Sequence, residues 1–191
     1  MRLGWSARRS AFVPHEGVLM HYVSGDRSQR DAVKLLAESG PEVLGVFQHD
    51  RASVNGELWE LTESPESGAV ATRGGEQIVR AQGSLRRDTR VEVQVEGRQY
   101  TMVAETARNW IVDDAAGTKI AQFSGENSGV RKAILEFDEA YQSTGALPAT
   151  DVAALAWVSR LVLESRRVNS ANVLIATLTL FSIVAVLVFV L

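Results

Sequence analysis

Three arginines, Arg86, Arg87 and Arg90, fall close together on a stretch that also carries Ser84, Asp88 and Thr89. Clustered guanidinium groups of this kind suit anionic headgroups, at about 1 kcal/mol per basic residue near a lipid surface. Asp88 dilutes the patch, and a solvated turn that keeps a hairpin soluble accounts for the same residues. Asp113 and Asp114 are the next candidates, as cation ligands. A calcium loop needs several oxygen ligands at regular spacing, so two acids ahead of Gly117 fit a turn better. His49-Asp50-Arg51 has the makings of acid–base chemistry, yet no nucleophile accompanies it, and a strand end explains it as well.

The remaining inventory excludes more than it offers. His15, His21 and His49 lack metal-ligand spacing, and the absence of cysteine removes disulfides, thiolate metal sites and a cysteine nucleophile. No glycine-rich phosphate loop, zinc motif or nucleophile elbow is present. The expectation is therefore a non-enzymatic protein with no catalytic residue, cofactor or metal. A formal charge of −3 makes no demand for nucleic acid, and none is expected as a partner. Of the 20 basic residues only Lys34, Lys119 and Lys132 are lysine, a bias that points to a GC-rich bacterial genome.

The elements that would position these residues follow from hydrophobic period. Residues 1–17 are mixed, and a short strand is expected over Val18–Val23. Ser28 can cap a helix with Asp31 three residues on, apolar Val33, Leu35 and Leu36 on one side, and Gly40-Pro41 as the stop. Val43–Phe47 reads as a strand. From Glu57 to Phe137 the period is two. Its clearest member is Val91-Glu92-Val93-Gln94-Val95, which turns at Glu96-Gly97-Arg98 and returns through Tyr100, Met102 and Ala104. A second hairpin runs from Trp110-Ile111-Val112 through Asp113–Gly117 to Thr118–Phe123, and Lys132–Phe137 adds one more strand. Such short, regularly spaced strands imply a meander, as a barrel or a strongly curved sheet. Pro148 then precedes a helix over 150–165 whose body, VAALAWVSRLVLE, is apolar nearly all round and suits a core.

The last twenty residues, Asn172 to Leu191, carry no charge, and fourteen of them are Val, Leu, Ile or Phe. As a helix this run would be about 30 Å long, the thickness of a bilayer core. Arg166 and Arg167 stand just before it as a membrane flank and, by the positive-inside rule, place the preceding chain in the cytoplasm. These features predict a tail-anchored, single-pass protein of the cell membrane.

The strand meander, the hairpin Trp110-x-x-Asp113-x-x-x-Gly117, and the Pro148-led helix with Ala154 to Glu164 resemble the tubby C-terminal-like superfamily, which includes phospholipid scramblases and LURP-one-related proteins. The resemblance covers roughly residues 57–165. It implies a closed antiparallel barrel around a central C-terminal helix, acting without catalysis at or near lipid. The helix expected at Ser28–Ser39 departs from that pattern, and the strands expected before Glu57 are fewer than a twelve-stranded barrel needs.

The expected fold class is thus α+β: an antiparallel meander or barrel with a core helix, followed by a C-terminal transmembrane helix. Its parts would be an N-terminal segment with one helix (1–56), a β-rich domain (57–165) and an anchor (171–191). Two functions follow. One is a cytoplasmic domain that binds lipid headgroups or a protein at the membrane surface. The other is an assembly subunit whose anchor packs on other membrane helices through Ala176, Thr177, Thr179, Ser182 and Ala185.

Overall fold

Alternation drives most of the molecule into one wall of strands. The computed structural model describes residues 20–29, 32–38, 40–106, 108–125, 133–142 and 147–190. Twelve strands appear among them, β1 (Tyr22–Gln29), β2 (Ala32–Ala37), β3 (Val43–Phe47), β4 (Arg51–Val54), β5 (Glu57–Ser64) and β6 (Gly68–Arg73) forming the first half. The second half is β7 (Glu76–Gln82), β8 (Arg90–Val95), β9 (Arg98–Ala104), β10 (Asn109–Asp114), β11 (Lys119–Ser124) and β12 (Ala133–Phe137). Each pairs antiparallel with its neighbours in sequence, and β1 pairs with β12 to close the barrel. Closure leaves no edge strand to aggregate.

Local chemistry sets the hairpins. Asn55-Gly56, Gly74-Gly75 and Glu96-Gly97 are two-residue loops with both residues at positive φ, the twist that matches paired strands. In β8, Val91, Val93 and Val95 point inward and are buried while Glu92 and Gln94 face outward. Tyr100 and Met102 on β9 and Trp110 and Val112 on β10 continue the inner layer.

Twelve strands enclose more space than their own side chains fill. The space is taken by α2 (Ala149–Val190), preceded by the single turn α1 (Glu139–Gln142). From Asp151 to Ser159 every residue of α2 is buried. A helix apolar on all sides needs a wall on all sides, and the barrel supplies it. Trp157 sits at the centre, stacked on Phe47 with ring centroids 6.2 Å apart, and Phe47 meets Trp59 edge-on at 6.2 Å.

Three expectations are corrected. The described residues of the stretch 28–39 do not form a helix: 28–29 end β1 and 32–37 are β2, with Gly25 opposite Leu35 and Val23 opposite Ala37. Helix propensity is a weak prior, and pairing with both β1 and β3 overrides it. Of the strand expected over Val18–Val23, Tyr22 and Val23 belong to β1, while 18–19 lie outside the described residues. Second, the α+β class gives way to a β-barrel, since the described strands before Glu57 bring the wall to twelve.

Third, the run 171–191 is not a separate transmembrane anchor. Residues up to Val190 continue the helix that begins at Ala149 inside the barrel. Among the described residues, no helix is long and apolar enough to cross a membrane. The apolar side chains described there, Ile175, Leu178, Phe181 and Ile183, are interspersed with the hydroxyls of Thr177, Thr179 and Ser182. The tail-anchored, single-pass assignment falls with the anchor. An uncharged run read in isolation cannot tell a bilayer span from the distal part of a longer helix.

Candidate functional site

The barrel end where α2 emerges gathers the most varied chemistry. Its centrepiece is the loop 83–89 between β7 and β8. Gly83 enters it at φ +111, where a Cβ would lie 2.9 Å from an Asp88 carboxylate oxygen. That oxygen, Oδ2, accepts the Ser84 amide at 2.7 Å. The Asp88 amide donates to the Ser84 carbonyl at 3.0 Å. Leu85 turns inward and is buried. The Arg86 amide and the Ser84 hydroxyl both donate to the Pro65 carbonyl at 3.2 Å, which joins the loop to the turn between β5 and β6.

Between loop and helix lies a cleft of about 220 Å³. Pro65, Leu85 and Leu161 give it an apolar floor, and Glu63, Arg86 and Glu164 stand on its rim. Arg86 pairs with Glu66 at 2.8 Å, and Arg87 approaches the other oxygen of Glu66 at 3.9 Å. Arg90 turns elsewhere: it donates to Glu92 at 2.7 Å and to the Thr101 hydroxyl at 3.4 Å, along the outer face of β8 and β9. That hydrogen bond holds the Glu92 carboxyl below its ordinary value, against a smaller effect of burial. The structure therefore brings Arg86 and Arg87 together over one shared carboxylate and sets Arg90 apart.

Arg166 lies at this end too. Its guanidinium carbon stands 4.6 Å from the centroid of the Trp110 ring, and Nη2 donates to the Asp88 carbonyl at 2.6 Å. Burial pulls its pKa below the usual arginine value, with Asp88 opposing. The side chain of Arg167 lies outside the described residues. Beyond Arg166 the described side chains of α2 are exposed, with Phe181 67 % and Ile175 61 % accessible.

The opposite end holds a constellation that the sequence did not announce. Asp151, in the first turn of α2, is completely buried. Arg98 grips it with two hydrogen bonds of 2.6 Å, and the Tyr100 hydroxyl donates to it as well. The hydrogen bonds to Asp151 raise the Arg98 pKa, while burial first and Asp151 second push Tyr100 well above the ordinary tyrosine value. Glu96 joins Arg98 to Arg73, which also pairs with Glu57, so ion pairs link three hairpin turns to the start of the helix. An acid at a helix N-terminus passes for a capping residue. The available signal was that Asp151 borders a run with no polar face to receive it.

The other candidate residues have local roles. Asp114 Oδ1 accepts the amides of Ala116 and Thr118, both at 2.9 Å, as a turn acid does. Asp113 lies in the ladder opposite Thr101 and Lys119. Asp50 forms an exposed pair with Arg51, whose hydrogen bond lowers the Asp50 pKa, and His49 lies 3.9 Å from Glu63. Among the described residues, no group of three or more histidines and acids could hold a metal ion.

No family model, curated protein or solved structure matches the chain.

Proposed function

We propose that the barrel is a non-enzymatic binding module whose helix-exit end contacts anionic lipid headgroups at a bilayer surface. One observation carries this reading: Arg86 and Arg87, an apolar-floored cleft, and the exposed apolar side chains of α2 all occur at the same end. Amphiphiles present acidic heads beside hydrocarbon, so a site with both kinds of contact suits them. The resemblance to the tubby C-terminal-like superfamily points the same way, and a closed barrel around a C-terminal helix supports it. The non-enzymatic part rests on motif content.

The expected attraction is weak. Three arginines supply at most about 3 kcal/mol at a charged surface, screened over about 8 Å at physiological salt. An incoming phosphate must also compete with Glu66 for Arg86 and with Glu92 for Arg90.

Co-sedimentation of the full chain with anionic and neutral vesicles, side by side, tests the reading. Preferential binding to anionic vesicles is expected, weakened by salt and by the combined changes Arg86→Ala, Arg87→Ala and Arg90→Ala. Equal binding to both vesicle types, or an unaffected triple variant, would replace lipid with a protein partner that covers Ile175, Leu178 and Phe181.

A further inference from the structure

We infer that Arg166 is the positioning residue of the arginine loop: it clamps 83–89 to α2, so that Arg86 and Arg87 are presented only while the helix is seated in the barrel. The inference rests on the lipid reading for its functional consequence and on geometry for the clamp itself.

The loop is tied to the barrel wall through Pro65, through the Arg86–Glu66 pair and through the Thr89 carbonyl, which accepts the Ala104 amide at 2.8 Å, and to α2 through Arg166. On one side the Arg86 amide and the Ser84 hydroxyl bond to the Pro65 carbonyl. On the other, Arg166 Nη2 reaches the Asp88 carbonyl at 2.6 Å across 78 residues of sequence. Asp88 is also the residue whose carboxylate accepts the Ser84 amide, so whatever fixes Asp88 fixes the loop's first turn.

The guanidinium is itself held in place. It lies on the Trp110 ring at 4.6 Å, and Trp110 stacks on Phe123 at 5.8 Å with an interplanar angle of 11°. Both aromatic rings belong to the barrel wall and are buried. Helix, wall and loop therefore meet at one side chain. A planar group that stacks on one face and donates along its edge is arginine's particular capacity, and lysine carries the charge without the plane. Movement of α2 along its axis withdraws Nη2 from Asp88 and leaves the loop held by the wall, through Pro65, Glu66 and Ala104.

Hydrogen exchange on the full chain reads the clamp, because the amides of Ser84, Arg86, Arg87 and Asp88 are all hydrogen-bonded. Arg166→Ala is expected to speed their exchange about tenfold while the β8–β9 ladder keeps its protection. Arg166→Lys keeps the charge and is expected to fall between, at about threefold, with a parallel loss of anionic-vesicle affinity. Wild-type exchange of the loop in Arg166→Ala overturns the clamp. Faster loop exchange with unchanged vesicle affinity overturns the positioning role and leaves the lipid reading standing. A wild-type chain that ignores anionic vesicles overturns the lipid reading, and the exchange comparison then decides the clamp alone.

Discussion

Asp151 shows how much one side chain can hold. It is a buried carboxylate whose attraction to Arg98 is supplemented by the Tyr100 hydroxyl, and a buried charge without such partners is costly. Tyr100→Phe removes one donor and should cost about 1–3 kcal/mol at neutral pH. It should also change the alkaline behaviour. Burial raises the Tyr100 pKa, so the folded state keeps a proton that the unfolded state releases near pH ~10. That contribution is complete below about pH 10 and declines above it. Denaturant midpoints followed from neutrality to about pH 11 should therefore fall less steeply for Tyr100→Phe than for wild type, and equal slopes would discount the burial of this hydroxyl. Trp157 offers a second test, because its ring stacks on Phe47 in the barrel centre. Trp157→Ala should cost about 3–5 kcal/mol. An unchanged unfolding midpoint would take α2 out of the core.

Among the elements, the hairpins of the second half were legible because their cues are local. Val91–Val95 alternates strictly, Glu96-Gly97 supplies positive φ, and the strand pairs as that pattern requires. Gly68 is different: its φ is +109, and a Cβ there would stand 2.0 Å from the Ala81 carbonyl oxygen on β7. Gly68→Ala should cost at least about 2 kcal/mol through clash and backbone strain together. Gly97, with open space around its Cβ direction, should lose only about 1 kcal/mol as alanine. Comparable thermal shifts for the two would contradict the close approach of β6 to β7. The stretch 28–39 carries a helix signal because Lys34, Leu35, Leu36 and Ala37 are good helix formers. What decides their state is β1 and β3 on either side, a fact that no window of a dozen residues contains.

For the whole molecule, α2 is the unifying object. Its first part fills the barrel, and beyond Arg166 its described apolar side chains, Ile175, Leu178, Phe181 and Ile183, are exposed. If the two parts are energetically separate, changes to the second should not reach the first. Leu178→Ser with Phe181→Ser should leave the barrel's unfolding midpoint within about a degree of wild type, since neither side chain is buried. The same pair should reduce vesicle retention. A barrel destabilised by the double change would place those side chains against the wall.

By itself the sequence determined the inward and outward faces of β8 and β9, the turns at Glu96-Gly97 and before Gly117, and the buried character of the helix body that begins at Val152. Each follows from a pattern that repeats within a few residues. The placement of Arg86, Arg87 and Arg90 around a β7–β8 loop was also legible, because charged residues between two alternating stretches have nowhere else to go. Tertiary structure alone decided the closure of twelve strands, the grip of Arg98 on Asp151 across 53 residues, and the pairing of Arg86 with Glu66 across 20 residues. It also decided the role of Arg166, which sequence placed beside a membrane and the fold places over Trp110 and against Asp88. The physical reason is common to all four. A side chain's partner is chosen by which strands become neighbours when the barrel closes, and that choice depends on the whole chain at once.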